Sequence, residues 1–172
     1  MTDFRRTALV LIDLMPRIIA MPTGPRSGEE VLQRCIDLAD ALRAAGALIV
    51  HVRVERPNLD EQPPGSELAM TPQPDDVEIV KRTIGAFHNT GLDDVLKDRG
   101  IDTIVLGGLV TNFGVEGTGR SAIEYGYTVV YVEDAMAGFD APAHEFAVTN
   151  IFPRIGTVTT SSELVESIRR QD

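Results

Sequence analysis

Thr103-Ile104-Val105-Leu106-Gly107-Gly108-Leu109-Val110-Thr111-Asn112-Phe113-Gly114 is the stretch whose reading decides the fold. Thr103 to Leu106 is a short β-branched and apolar run without polar alternation, as expected of a strand covered on both faces. The glycine-bearing loop Gly108 to Gly114 then leads into a helix expected from about Phe113 to Tyr125, with Gly126 as its stop. Ala8 to Ile12 and Thr128 to Val132 read as buried strands in the same way. Leu48 to Val54 starts apolar and alternates through His51 and Arg53, giving a fourth. Val77 to Val80 and Gly156 to Thr159 are weaker candidates, expected as a short inner strand and an edge.

Helical periodicity fills the intervals. Val31, Leu32, Cys35, Leu38, Ala39 and Leu42 recur at helical spacing between Glu29 and Ala45, and Gly46 ends the run. Thr90-Gly91-Leu92-Asp93 reads as a capping box opening a helix through Lys97, with Gly100 beyond it. Further helices are expected over Ala143 to Ile151 and Ser162 to Arg169. Strands alternating with helices predict right-handed crossovers, hence an α/β fold: a mostly parallel sheet between two layers of helices. A single domain is expected across residues 1–172. Arg56 to Asp76 holds five prolines and no apolar period, so it is expected to be a surface loop, either a lid or a spacer.

Bulk properties narrow the functional classes. Charged residues make up 24% and hydrophobic residues 43%, as in an ordinary globular protein. A formal charge of −10 repels phosphate backbones and anionic lipid, leaving a small molecule as the expected partner. No apolar run approaches the roughly 20 residues that span a bilayer. Met1 to Arg6 lacks the features of a signal peptide. Cys35 is the lone cysteine, so no internal disulfide can form. A cytoplasmic location is the resulting expectation.

Ligands of open α/β sheets collect beyond the carboxyl ends of the strands. Asp13, Lys81 and the Gly108 to Gly114 loop fall there. Asp13 follows Leu9-Val10-Leu11-Ile12, where burial raises a carboxyl pKa and a neighbouring ammonium lowers it. An Asp–Lys pair can shuttle a proton; alternatively Asp13 caps a turn and Lys81 is solvated. Gly114, Gly117 and Gly119 each cost a helix about 0.5–1 kcal/mol relative to alanine. They imply close approach to the backbone by a ligand or a packed neighbour. Arg53, Arg56, Arg82 and Phe87 fall within possible reach of the site. The chain has no G-x-G-x-x-G after its first strand, no Walker loop and no G-x-S-x-G elbow. His51, His88 and His144 stand singly, without metal-site spacing, and Cys35 falls on the apolar stripe of its helix.

Three blocks then resemble the signatures of the isochorismatase-like (cysteine hydrolase) superfamily. They are Leu11-Ile12-Asp13-Leu14-Met15; Lys81-Arg82 with Ala86-Phe87 and Thr90-Gly91-Leu92; and Gly108-Leu109-Val110-Thr111-Asn112-Phe113-Gly114-Val115-Glu116. Glu133-Asp134-Ala135 and His144 fit the same pattern, and the resemblance spans essentially the whole chain. It implies a six-stranded parallel sheet, a homo-oligomer (dimer or tetramer), and a cis peptide between Leu109 and Val110. Leu109, Val110, Thr111 and Phe87 are implied as substrate-binding residues. Most members resemble amidases that use an aspartate, a lysine and a cysteine. Asp13 and Lys81 match the first two positions, and the third falls on Gly114. Without a thiol the thioester route is closed. The resemblance then points to chemistry of the isochorismatase kind, in which the aspartate protonates a vinyl ether and water captures the cation. Met15 stands where glutamine is common. The Asp/His metal set of nicotinamidase-like members is missing after His51-Val52-Arg53, so no zinc, other metal or cofactor is expected. The alternatives are a binding or regulatory protein on the same scaffold, and an amide or ester hydrolase using activated water. Thr111 has no base evident in the sequence.

Overall fold

Thr7–Ile12 (β1) is buried at every residue. Its side chains divide by strand period: Ala8, Val10 and Ile12 join one apolar core, Leu9 and Leu11 the other. An unbroken apolar run is what such a strand requires. The computed structural model describes residues 3–170, so the signal-peptide reading lies outside the described residues at Met1 and Thr2. Five further strands join the sheet: Leu48–Val54 (β2), Val77–Lys81 (β3), Thr103–Leu109 (β4), Thr128–Ala137 (β5) and Thr157–Thr159 (β6). The six are all parallel, in the order β3-β2-β1-β4-β5-β6.

Helices connect the strands: Pro16–Ile19 (α1), Gly28–Ala44 (α2), Leu92–Asp98 (α3), Glu116–Glu124 (α4), Ala141–Phe146 (α5), Phe152–Ile155 (α6) and Ser161–Arg169 (α7). Ser27 and Glu30 form a reciprocal capping box at the start of α2. That helix buries Val31, Cys35, Leu38, Ala39 and Leu42 against the sheet. Burial pushes the Cys35 thiol pKa far up, which makes it an inert core residue.

Several boundaries differ from the sequence reading. β3 is an edge strand, paired only with β2, not an inner one. β5 runs on to Ala137, so Glu133, Asp134 and Ala135 lie within it. No capping box forms at Thr90. Gly91 is the N-cap at φ +77°, and Asp93 instead accepts from Tyr127 Oη at 2.8 Å and Lys97 Nζ at 2.6 Å. The helix expected from Phe113 begins as a wide π-turn over Thr111–Val115 before α4. Ala143 to Ile151 is likewise split, with a π-turn over Ala147–Ile151 between α5 and α6.

β1 lies between β2 and β4, and the chain leaves it in opposite directions across the sheet. The carboxyl ends of β1 and β4 therefore flank the topological switch point, where a crevice opens. The Arg56 to Asp76 segment is a loop, as its prolines predict, but it is tied down. Arg17 N–H donates to Gly65 O (3.1 Å), Arg17 Nε to Ser66 Oγ (3.1 Å) and Ala69 N–H to Leu14 O (2.9 Å).

Candidate active site

The turn after β1 holds Asp13 in the left-handed region at φ +51°. Its N–H donates to Val52 O, and its carbonyl accepts from Met15 N–H, both at 2.8 Å. Lys81, the last residue of β3, reaches across the end of β2 and places Nζ 2.8 Å from Asp13 Oδ2. The same ammonium donates to Ile84 O at 2.7 Å. Asp13 is 6% exposed and Lys81 2%. Asp13 Oδ1 is buried and has no hydrogen-bond partner. Loss of solvation outweighs the attraction of Lys81 and of Arg17, so the Asp13 pKa is raised.

Gly114 closes over this pair from the turn after β4. A Cβ added there would lie 3.0 Å from Lys81 Nζ, 3.3 Å from Asp13 Oδ2 and 2.8 Å from Ile12 Cγ2. A side chain at 114 would thus start in contact with the ion pair and press on Ile12, which glycine avoids. A cleft of about 340 Å³ opens here. Asp13, Lys81 and Gly114 are joined in its lining by Glu55, Arg56, Arg82, Ile84 and Phe113.

The structure brings Asp13, Lys81 and Gly114 together and leaves Phe87, Leu109, Val110 and Thr111 out of the cleft lining. Phe87 is buried and stacks on Tyr125, ring centroids 5.0 Å apart, on the far side of its loop. Leu109 and Val110 are buried in the core on the α2 side, and the peptide between them is cis. Thr111 is fully buried, its Oγ1 2.8 Å from His144 Nδ1. The sequence showed no base for Thr111; α5 supplies one, although neither side chain lines the cleft. The two are 33 residues apart, so no spacing could have revealed the contact. Burial, and then Arg26, hold the His144 pKa below its ordinary value. Arg56 and Arg82 do line the cleft, while Arg53 faces the neighbouring groove beneath the proline-rich loop.

The glycines of α4 answer a question left open above. Gly119 makes room for the Tyr131 phenol, and Gly117 packs against Ile84 and Gly85. Both accommodate packed neighbours within the fold. Among the described residues no group of three or more His, Cys, Asp or Glu side chains is arranged to hold a metal ion. No described helix is long and apolar enough to cross a membrane.

An all-parallel sheet with an Asp–Lys pair at its switch point has the architecture of an α/β hydrolytic enzyme. The family model described as the Isochorismatase domain matches residues 7–163, and the chain belongs to the isochorismatase family of hydrolases. It is similar to the uncharacterized isochorismatase family protein YecD of Escherichia coli O157:H7, 37% identical over 95% of this chain and 97% of that one. An isochorismatase family protein from Burkholderia thailandensis superposes with a TM-score of 0.86 at 37% identity, covering 96% of each chain. A cysteine hydrolase from Pseudomonas syringae pv. phaseolicola gives a TM-score of 0.86 at 28% identity, covering 99% of this chain and 96% of that one.

Proposed function

We propose that this protein hydrolyses a small anionic metabolite by acid catalysis from Asp13, without a thiol nucleophile. The observation that carries the proposal is the Asp13 carboxyl, buried against Lys81 with one oxygen bare and its pKa raised. A carboxylate supplied with donors on both oxygens would stay ionised; this one is biased towards holding a proton. Oδ2 faces the Lys81 ammonium, which leaves Oδ1 as the oxygen that takes up a proton in the proposed cycle. Gly114 stands at the position that the family resemblance gives to the cysteine. No sulfur can therefore form a thioester at that point.

The chemistry that suits such a group is hydrolysis of a vinyl ether. Asp13 transfers its proton to the terminal carbon of the double bond, leaving an oxocarbenium ion. Water adds to the oxygen-bearing carbon of that ion and loses a proton, which returns to Asp13. The resulting hemiketal breaks its carbon–oxygen bond to release an alcohol and a ketone. Lys81, paired with Asp13, stabilises the carboxylate left after proton transfer and keeps it poised for reprotonation. A substrate carrying a carboxylate next to the ether would release a 2-oxo acid.

The test is a screen of the purified protein against vinyl ethers, amides and esters, with products followed by mass spectrometry. Consumption of a vinyl ether by the native protein, abolished in Asp13→Asn, supports the proposal. A ligand that raises the melting temperature yet is never consumed replaces it with a binding or regulatory role. Amide or ester turnover that survives in Asp13→Asn replaces it with hydrolysis by water activated elsewhere.

A further inference from the structure

The cleft has a charge pattern opposite to that of the whole molecule. The chain carries a formal charge of −10. Within the cleft, Asp13 and Lys81 offset each other at 2.8 Å. Glu55 accepts from Arg53 Nη1 at 2.8 Å through Oε1 and from Arg82 Nη2 at 2.5 Å through Oε2. Arg53 turns its Nε to Glu78, also at 2.5 Å. Two arginines and two glutamates thus offset one another around Glu55. Arg56, exposed at the rim, is the cleft residue whose guanidinium makes no ion pair among the described residues. When Asp13 carries a proton, the Lys81 ammonium adds a second uncompensated positive charge.

The backbone of Arg56 is also held in a way that the surrounding loop is not. Its N–H donates to Gln62 Oε1 at 2.8 Å, and its carbonyl accepts from Gln62 Nε2 at 3.2 Å. One side-chain amide therefore imitates the paired bonds of a strand neighbour and closes a short loop, in which Asn58 takes φ +66°. Pro57, which fixes its own φ, follows Arg56 directly and lines the cleft too. Between the rim and the buried acid pair the walls are apolar: Val54, Ile84, which is 60% exposed, and Phe113, which is 47% exposed. An apolar wall between a guanidinium carried on a clamped backbone and a proton donor suits an apolar body with a carboxylate at its outer end.

We infer that Arg56 determines specificity by pairing with a substrate carboxylate remote from the reacting bond, and that Gln62 positions it by clamping its backbone. Only the location of the reacting end rests on the acid-catalysis reading. The substrate class is a monocyclic or short-chain carboxylate. A guanidinium on a clamped backbone loses less freedom on pairing with that carboxylate than one on a loose loop.

The test compares binding of benzoate and benzamide, equal in shape and different in charge, by NMR titration of the full-length protein. Native protein is expected to prefer benzoate by about tenfold or more. Arg56→Gln should abolish the preference and leave benzamide affinity as it was. Gln62→Ala should weaken benzoate binding by about 3- to 10-fold, and should add nothing further once Arg56 is already Gln. That coupling separates positioning of Arg56 from a general loosening of the loop, which would weaken both ligands in either background. Equal affinity for the two probes in the native protein, or an undiminished preference in Arg56→Gln, overturns the inference. A benzoate preference that depends on Arg56 in a protein that consumes no vinyl ether upholds the anchor while the acid chemistry fails. Vinyl-ether turnover without that preference does the reverse.

Discussion

Asp13 and Asp76 both bury their side chains near strand ends, yet the protein drives them in opposite directions. Asp76, just before β3, accepts from Arg43 Nε at 3.2 Å, Arg43 Nη2 at 2.9 Å and Gln73 N–H at 2.9 Å, with His51 Nε2 3.0 Å away. Burial alone would raise its pKa, but these partners together hold it below the ordinary value. Asp13 has one donor, Lys81, and a bare oxygen, and its pKa is raised. The number and charge of the donors decide the outcome, not depth alone. Asp76 is built as a fastener, joining α2, β2 and the end of the proline-rich loop. Asp13 is biased towards its protonated form, which fits the proposed chemistry.

Four measurements break or sharpen this contrast. Asp13→Asn is expected to lower turnover of any true substrate by about 10²–10⁴-fold, the usual share of a general acid, in steady-state kinetics. Full activity in that variant removes Asp13 from the chemistry. Asp76→Ala is expected to cost about 2–3 kcal/mol in denaturant unfolding, because Arg43 and buried His51 lose their partner. A cost below about 0.5 kcal/mol would mean that the node fastens nothing. Gly114→Cys should cost about 1–2 kcal/mol, since its Cβ meets the Ile12 methyl carbon at 2.8 Å. A gain of amidase activity in that variant would show that the cleft still accommodates thiol chemistry.

The smallest effect is in the pH dependence of stability, where the two aspartates act in opposite senses. Asp76, with its lowered pKa, contributes stability above the ordinary carboxyl range near about 4 and loses it as pH falls through the lower folded value. Asp13, with its raised pKa, contributes most below that range and less as pH climbs through the higher folded value. Melting temperatures taken across acid pH should therefore show a shallower acid loss in Asp76→Ala. They should show a shallower decline above about pH 4 in Asp13→Asn. Shifts of the same sign in both variants would contradict the assignment.

Much of the architecture was legible because both faces of the sheet are covered. β1, β4 and β5 could be found from unbroken apolar runs, and α2 from the spacing of Val31, Cys35, Leu38 and Leu42. β3 was harder. It is a half-exposed edge of five residues, and nothing local in Val77 to Lys81 reports which strand it joins. The Thr90 capping box failed because the Thr90 hydroxyl donates to Ala86 O at 2.6 Å and accepts from Leu92 N–H at 3.2 Å, with Gly91 as the N-cap. At the site, strand-end positions made Asp13 and Lys81 candidates for a pair without deciding it, and Gly114 was singled out by the family resemblance. Phe87 misled because a residue close in sequence to Lys81 turns back into the core to meet Tyr125. Thr111 with His144, and Arg56 with Gln62, depend on side-chain geometry that no periodicity encodes.

The tight contact at Gly114 also constrains how this chain can diverge. Any residue larger than glycine must first displace the methyl of Ile12, a β-branched side chain on a packed central strand, stiff about χ1. Positions 12 and 114 are therefore coupled, and a chain that installs sulfur here carries that strain until the side chain at 12 shifts or changes.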